Sequence, residues 1–102
     1  MHLILAPKET EVRLSWYAAI KYCESLTTYG HTDWQLPNIY DLGQLSVEYP
    51  TEFLKDEYWS STERWKDSPG AYFIHCGIDE PILSCWKEKK LLVKAIRKLK
   101  CK

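Results

Sequence analysis

The residues of this 102-residue chain that could do chemistry are four cysteines, three histidines and a scatter of acids and hydroxyls. Zinc needs four ligands, which usually arrive as Cys-x-x-Cys or His-x-x-x-His pairs. No such pair occurs among Cys23, Cys76, Cys85, Cys101 and the histidines. His75 and Cys76 are neighbours on a predicted strand, so their side chains would point to opposite faces. Calcium needs converging carboxylates and amides, and Glu80-Pro81 is followed by Ile82, whose apolar side chain cannot ligate it. For nucleophilic catalysis, His31 and Asp33 sit close in sequence, with Ser60 and Ser61 further along. A glycine-rich phosphate loop is absent. Four cysteines allow three disulfide connectivities. Cys76 and Cys85 lie symmetrically about the Gly77–Pro81 turn and could face each other across a hairpin; a bridge there is permitted, not demanded. The expectation is no catalytic residue, no cofactor, no metal and reduced thiols.

Aromatic residues are the most heavily represented class, with five Trp, seven Tyr and two Phe. Trp65 stands apart from the rest. It lies in Glu63-Arg64-Trp65-Lys66-Asp67-Ser68-Pro69-Gly70, a polar stretch with no apolar periodicity to bury it. Trp beside Arg is the composition enriched at interface hot spots. Arg64, Trp65, Lys66 and Asp67 are therefore the candidate partner-binding residues, with Trp65 folded back over a core edge as the alternative. For Trp86, inside a predicted strand, the sequence does not choose between exposed and packed.

These residues need elements to hold them. Residues His2 to Ala6 predict a strand, and Val12 with Leu14 a second short one. Ser15 is placed to cap a helix whose apolar stripe is Trp16, Ala19, Ile20, Cys23 and Leu26. Gly30 suits a left-handed terminator. After a loop from His31 to Pro37, Asn38 is placed to cap a second helix, with Asp41 in its first turn and Ile39, Leu42 and Leu45 on its buried face. Gly43 inside that helix implies a close neighbour, and Tyr49-Pro50 closes it. Tyr58–Thr62, Ala71–Cys76, Ile82–Trp86 and Leu91–Arg97 then predict four strands, the last as one piece after the charged turn Lys87-Glu88-Lys89-Lys90. Helices early and a meander of strands late suggest a single α+β domain, two helices packed on a small antiparallel sheet.

Fourteen basic and fourteen acidic residues cancel. A nucleic-acid binder would show a basic excess or stripe. The only basic run, Lys94, Arg97, Lys98, Lys100 and Lys102, reads as a solvated tail keeping an edge strand soluble, with phosphate contact as the alternative. The apolar run Leu3–Ala6 ends at Pro7, too short for a signal peptide. No stretch approaches the roughly 18 apolar residues of a membrane span. The expected location is the cytoplasm.

Four pieces carry a resemblance when taken in order. They are Trp16-x-x-Ala19-x-x-Tyr22-Cys23-x-x-Leu26, Gly30-x-x-Asp33-Trp34-Gln35-Leu36-Pro37, Asp41-Leu42-x-x-Leu45 and Tyr58-Trp59-Ser60-Ser61-Thr62. Over about residues 15–97 the chain resembles the Lcl C-terminal domain family of bacterial and phage proteins. The resemblance implies a C-type-lectin-like fold, with Trp16, Trp34 and Trp59 in the core and the His31–Asp33 loop and the Ser60-Ser61 strand structural. Gln35 and Asn38 depart from the family's usual Arg and Thr. Ala95 stands where the family commonly has a cysteine, so the partner that the resemblance implies for Cys23 is missing. Together with the absent leader, this suggests an intracellular descendant of a mostly exported family.

The resulting expectation is a non-enzymatic module that binds a protein partner. Its finer form is a phage- or mobile-element-encoded accessory protein or inhibitor acting on an intracellular complex. Carbohydrate or cell-surface recognition by an exported protein comes second, and a small enzyme third.

Overall fold

The structure, a computed structural model, describes residues 2–53 and 56–99. Its elements are β1 (His2–Leu5), β2 (Val12–Leu14), α1 (Trp16–Ser25), α2 (Ile39–Glu48), β3 (Glu57–Glu63), β4 (Gly70–His75), β5 (Ile82–Trp86), β6 (Leu91–Val93) and β7 (Ile96–Leu99). The class is α+β as expected. Five strands form one sheet in the order β2-β6-β3-β4-β5, while β1 and β7 form a separate pair. The large sheet is mixed rather than purely antiparallel. β3 and β6 run parallel through Tyr58 and Leu92.

Side chains alternate between the two faces of a strand, and that alternation divides the interior in two. Trp59, Phe73, Ala71, Leu91 and Val93 point to one face, where Trp16, Ala19 and Cys23 of α1 cover them. Tyr58, Ile74 and Leu92 point to the other, where Leu42 and Leu45 of α2 and Ile96 of β7 meet them. Each helix therefore needs only one apolar stripe, and both stripes fall where their periodicity predicts.

The cap of α2 is the predicted one, with Asn38 Oδ1 accepting the Asp41 N–H at 2.8 Å. Thr62 Oγ1 accepts the next free donor, Ile39 N–H, at 3.0 Å and ties the helix to β3. At α1, Ser15 occupies the cap position with extended backbone, but its side chain makes no capping bond. Gly30 does not terminate this helix. α1 ends at Ser25, and Gly30, with φ of 77°, closes a separate 3-10 turn after Tyr29, which itself has φ of 59°. Gly43 has no close neighbour, since a Cβ built there meets nothing within 4 Å. Among the described residues, the packing reason expected for that glycine does not exist.

The last predicted strand is two strands. Burial is continuous from Val93 through Lys94 and Ala95 to Ile96, which a strand with one solvent face cannot give. At this point the chain leaves the large sheet, passes between the two cores and joins β1. Ala95 C=O accepts the Ala6 N–H at 2.9 Å, and Ile96 exchanges backbone hydrogen bonds with Gln35 at 2.8 and 2.9 Å.

Candidate functional site

The connection between β3 and β4 is built from its backbone outward. Arg64 N–H donates to Gly70 C=O at 3.1 Å, and Ser68 N–H to Trp65 C=O at 3.0 Å. Ser68 is buried, and its hydroxyl is hydrogen-bonded to Gly70 C=O while accepting Gly70 N–H at 3.2 Å. Pro69 C=O takes the Lys87 N–H at 3.0 Å, anchoring the loop to the end of β5. Asp67 takes the left-handed conformation, with φ of 59°. Every residue from Arg64 to Asp67 is exposed. Trp65 is 58% exposed, with the Arg64 guanidinium 5.4 Å from its ring centroid. The loop thus holds a large flat side chain in water on a pinned frame.

Gly70 explains how Arg64 reaches that position. A Cβ on Gly70 would come within 3.0 Å of Arg64 Cδ and 3.2 Å of Cys85 C=O. The aliphatic stem of Arg64 uses the space left by the missing side chain. Trp86 is the cross-strand neighbour of Gly70 and therefore projects from the same face. It is 66% exposed. This resolves the open reading of Trp86 and puts a second tryptophan at the same end of the sheet.

Beneath the loop lies a lysine that the sequence places in a charged turn. Lys87 is fully buried, its Nζ 4.2 Å from the Trp16 ring centroid and 5.1 Å from that of Tyr17. Glu63 accepts its hydrogen bond at 2.7 Å. Burial works to lower the Lys87 pKa, but the hydrogen bond and charge of Glu63 outweigh it and hold the ammonium above its ordinary value. Lys87 C=O also accepts Trp16 N–H at 2.8 Å. This cluster joins the start of α1 to the ends of β3 and β5.

Within the described residues, the basic C-terminal run is not a solvated tail. Lys94 is completely buried and ion-paired with Glu11 and with Glu52, the latter at 3.3 Å. Arg97 is paired with Asp33, and Lys98 lies 3.6 Å from Asp41. Acids from distant segments neutralise these charges, which leaves no continuous stripe for a phosphate backbone among the described residues. Lys100 and Lys102 lie outside those residues.

The residues weighed for catalysis are not brought together. Asp33 is committed to Arg97, whose hydrogen bond is the main influence holding its carboxyl below the usual range. Ser60 is buried, and its hydroxyl donates to Tyr72 C=O at 2.7 Å. Ser61 N–H donates to Pro37 C=O. No group of three His, Cys, Asp or Glu side chains converges as a metal site among the described residues. A shallow groove of about 390 Å³ between α2 and the β4–β5 turn is lined by Val47, Pro50, Phe53, Cys76, Ile78 and Pro81. Its lining is more apolar than polar, with Ser46 as its one hydroxyl.

Cys23, Cys76 and Cys85 are free thiols, and Cys101 lies outside the described residues. The hairpin register rules out the Cys76–Cys85 pairing weighed above. Cys85 faces Ala71, and His75 already faces the Pro81 carbonyl. Cys76, just past the end of β4, is five residues from Ala71, roughly 16 Å at ~3.3 Å per residue of extended chain. Burial pushes the Cys23 thiol up to about 12 and the Cys76 thiol up to about 11. At pH 8 the Cys23 thiolate fraction is then about a thousandfold below that of an ordinary cysteine. Of these three, iodoacetamide should label half-exposed Cys85 first and Cys23 only after denaturation, as read by peptide mass spectrometry. Prompt labelling of Cys23 in the folded protein would contradict its burial.

The Lcl C-terminal domain pattern matches residues 5–97. The chain belongs to the Lcl C-terminal domain family. The match begins ten residues earlier than the resemblance read from the motifs and so includes β2. No curated protein matches the chain. Two of the family-like motifs serve as the resemblance implies. Trp34 and Trp59 are both buried, and their indole N–H groups donate to Thr28 C=O at 3.0 Å and Leu14 C=O at 2.8 Å. Ala95 lies in the same core as Cys23. No helix among the described residues is long and apolar enough to cross a membrane.

Proposed function

We propose that this Lcl C-terminal domain is a non-enzymatic module that binds another protein, with Trp65 as the anchor and Arg64, Lys66 and Asp67 around it. The observation that carries this reading is the exposure of Trp65 on a loop whose backbone is pinned at Gly70, Ser68 and Pro69. A tryptophan in water exposes a large apolar surface that a partner can cover. Because the frame is already ordered, little conformational entropy is lost when it docks. Arg64, Lys66 and Asp67 supply charges of both signs, as a polar rim does. In its finer form the proposal is an accessory protein or inhibitor acting on an intracellular complex.

The test is affinity capture from the native host, with the purified partner then titrated against Trp65→Ala. The variant should melt at the parent temperature and bind at least about 2 kcal/mol more weakly, roughly thirtyfold. A folded Trp65→Ala that binds its partner normally rejects the loop.

A further inference from the structure

We propose that the open edge of β5 is a self-association surface, on which a second copy of this chain pairs its own β5 antiparallel about Ser84. Among the described residues, β5 is the last strand of the five-stranded sheet and is hydrogen-bonded only to β4. The ladder fixes which of its backbone groups are spare. His75 N–H donates to Pro81 C=O at 2.8 Å and Lys87 N–H to Pro69 C=O at 3.0 Å. Hydrogen-bonded and non-bonded pairs alternate along an antiparallel ladder. Between those two anchors, Leu83 and Cys85 face Phe73 and Ala71 as bonded pairs. Ile82, Ser84 and Trp86 therefore turn their N–H and C=O groups outward. Among these, Trp86 C=O is satisfied by Lys89 N–H at 3.1 Å.

Edge strands are usually blocked by a charge, a proline or a bulge. Ile82-Leu83-Ser84-Cys85-Trp86 contains no charge or proline, and its register runs unbroken from Ile74↔Ile82 to Gly70↔Trp86. Ile82, Leu83 and Trp86 are 54%, 38% and 66% exposed. The opposite edge of the sheet differs. β2 has three residues, and its central Arg13 is ion-paired with Asp56 at 2.7 Å.

The strand complements itself. With Ser84 on a two-fold axis, every outward residue meets another outward residue. Ser84 faces Ser84, and Ile82 faces the second copy's Trp86 at both ends. Aromatic pairs with β-branched residues are among the stabilising cross-strand combinations, and here each member is already exposed. The flanking charges favour the same orientation. Asp79 precedes the strand and Lys89 follows it, and the Ser84-centred register sets these opposite charges across from each other at both ends, against one like pairing of Glu80 with Glu88 at each. A parallel arrangement would set like against like. The contact is isologous and closes at two copies.

Sedimentation equilibrium on the purified chain tests this, with circular dichroism confirming that each variant is folded. The apparent mass should rise with concentration from 12.1 kDa towards twice that value. Ser84→Lys and Ser84→Asp should each stay monomeric over the same range, because a charge on the axis faces its own like. An equimolar mixture of the two should dimerise again, since lysine then faces aspartate. Ser84 is exposed and its backbone points away from β4, so neither variant loses an internal contact. A parent that is monomeric up to about millimolar concentration, the weak limit of specific association, overturns the proposal. So does a dimer that survives both substitutions, or a folded pair that fails to reassociate when mixed. Ser84 lies on β5 and Trp65 on the β3–β4 loop, so each substitution tests its own reading.

Discussion

A Lys94→Ala variant should lose about 3–5 kcal/mol of stability, enough to leave the domain largely unfolded. Lys94 has no exposed surface, and its ammonium sits between the carboxylates of Glu11 and Glu52. Glu11 is itself nearly buried and accepts a hydrogen bond from the Tyr58 hydroxyl at 3.2 Å. Removing the lysine leaves the largely buried Glu11 with half-exposed Lys8 at 3.6 Å as its remaining cation, and that poorly compensated charge is the source of the penalty. Combining Lys94→Met with Glu11→Gln should recover much of the loss. The methionine keeps the volume, and the glutamine still accepts from Tyr58 without carrying a charge. Urea denaturation of the single and double variants measures both effects. A Lys94→Ala protein within about 1 kcal/mol of the parent, the range of exposed ion pairs, would mean that the site is hydrated.

Trp59→Ala should be comparably damaging, at about 3–5 kcal/mol. Trp59 is fully buried at the centre of the α1-side core, edge-on to Phe73 with ring centroids 6.3 Å apart. Truncation removes its apolar surface, opens a cavity that the sheet cannot close, and leaves Leu14 C=O without its donor. Trp59→Phe separates these contributions. It keeps most of the packing and gives up the hydrogen bond, with an expected loss nearer 1–2 kcal/mol. The two variants bracket the position by thermal melting, with exposed Trp65→Ala as the neutral control. A stable Trp59→Ala would move this residue out of the core.

The features legible in the sequence are those carried by local rules. The Asn38 cap, the α1 stripe and the Trp59 strand each depend on residues within a few positions of one another, and each is where it was expected. The loop holding Trp65 was legible for the same reason, because a polar stretch has no buried face to offer a tryptophan. What sequence reasoning missed depends on contacts across long separations. Lys87 and Lys94 sit among other charges and look solvated, since their acids are Glu63, Glu52 and the distant Glu11. The break at Lys94-Ala95 carries no glycine or proline, so an apolar run reads as one strand. Cys76 and Cys85 look opposed because the turn was centred too late, when Pro81 already belongs to the ladder. Trp86 was undecidable because Ile82–Trp86 lacks polar alternation, and only the edge position of β5 explains its exposure.

The pairing of β1 with β7 has a consequence for how the chain comes off the ribosome. Leu3 and Leu5 wait for Ile96, as do Leu42 and Leu45 on the inner face of α2. The strand that covers them is made roughly fifty residues after that helix is complete. At about 5–20 residues per second, a nascent chain spends several seconds with this apolar face uncovered. Local helices can form meanwhile, but closure needs contacts spanning nearly the whole described chain, and such non-local closure is slow. The second core is therefore finished last, and a nascent chain stalled before residue 96 is the form most exposed to aggregation and to chaperone capture.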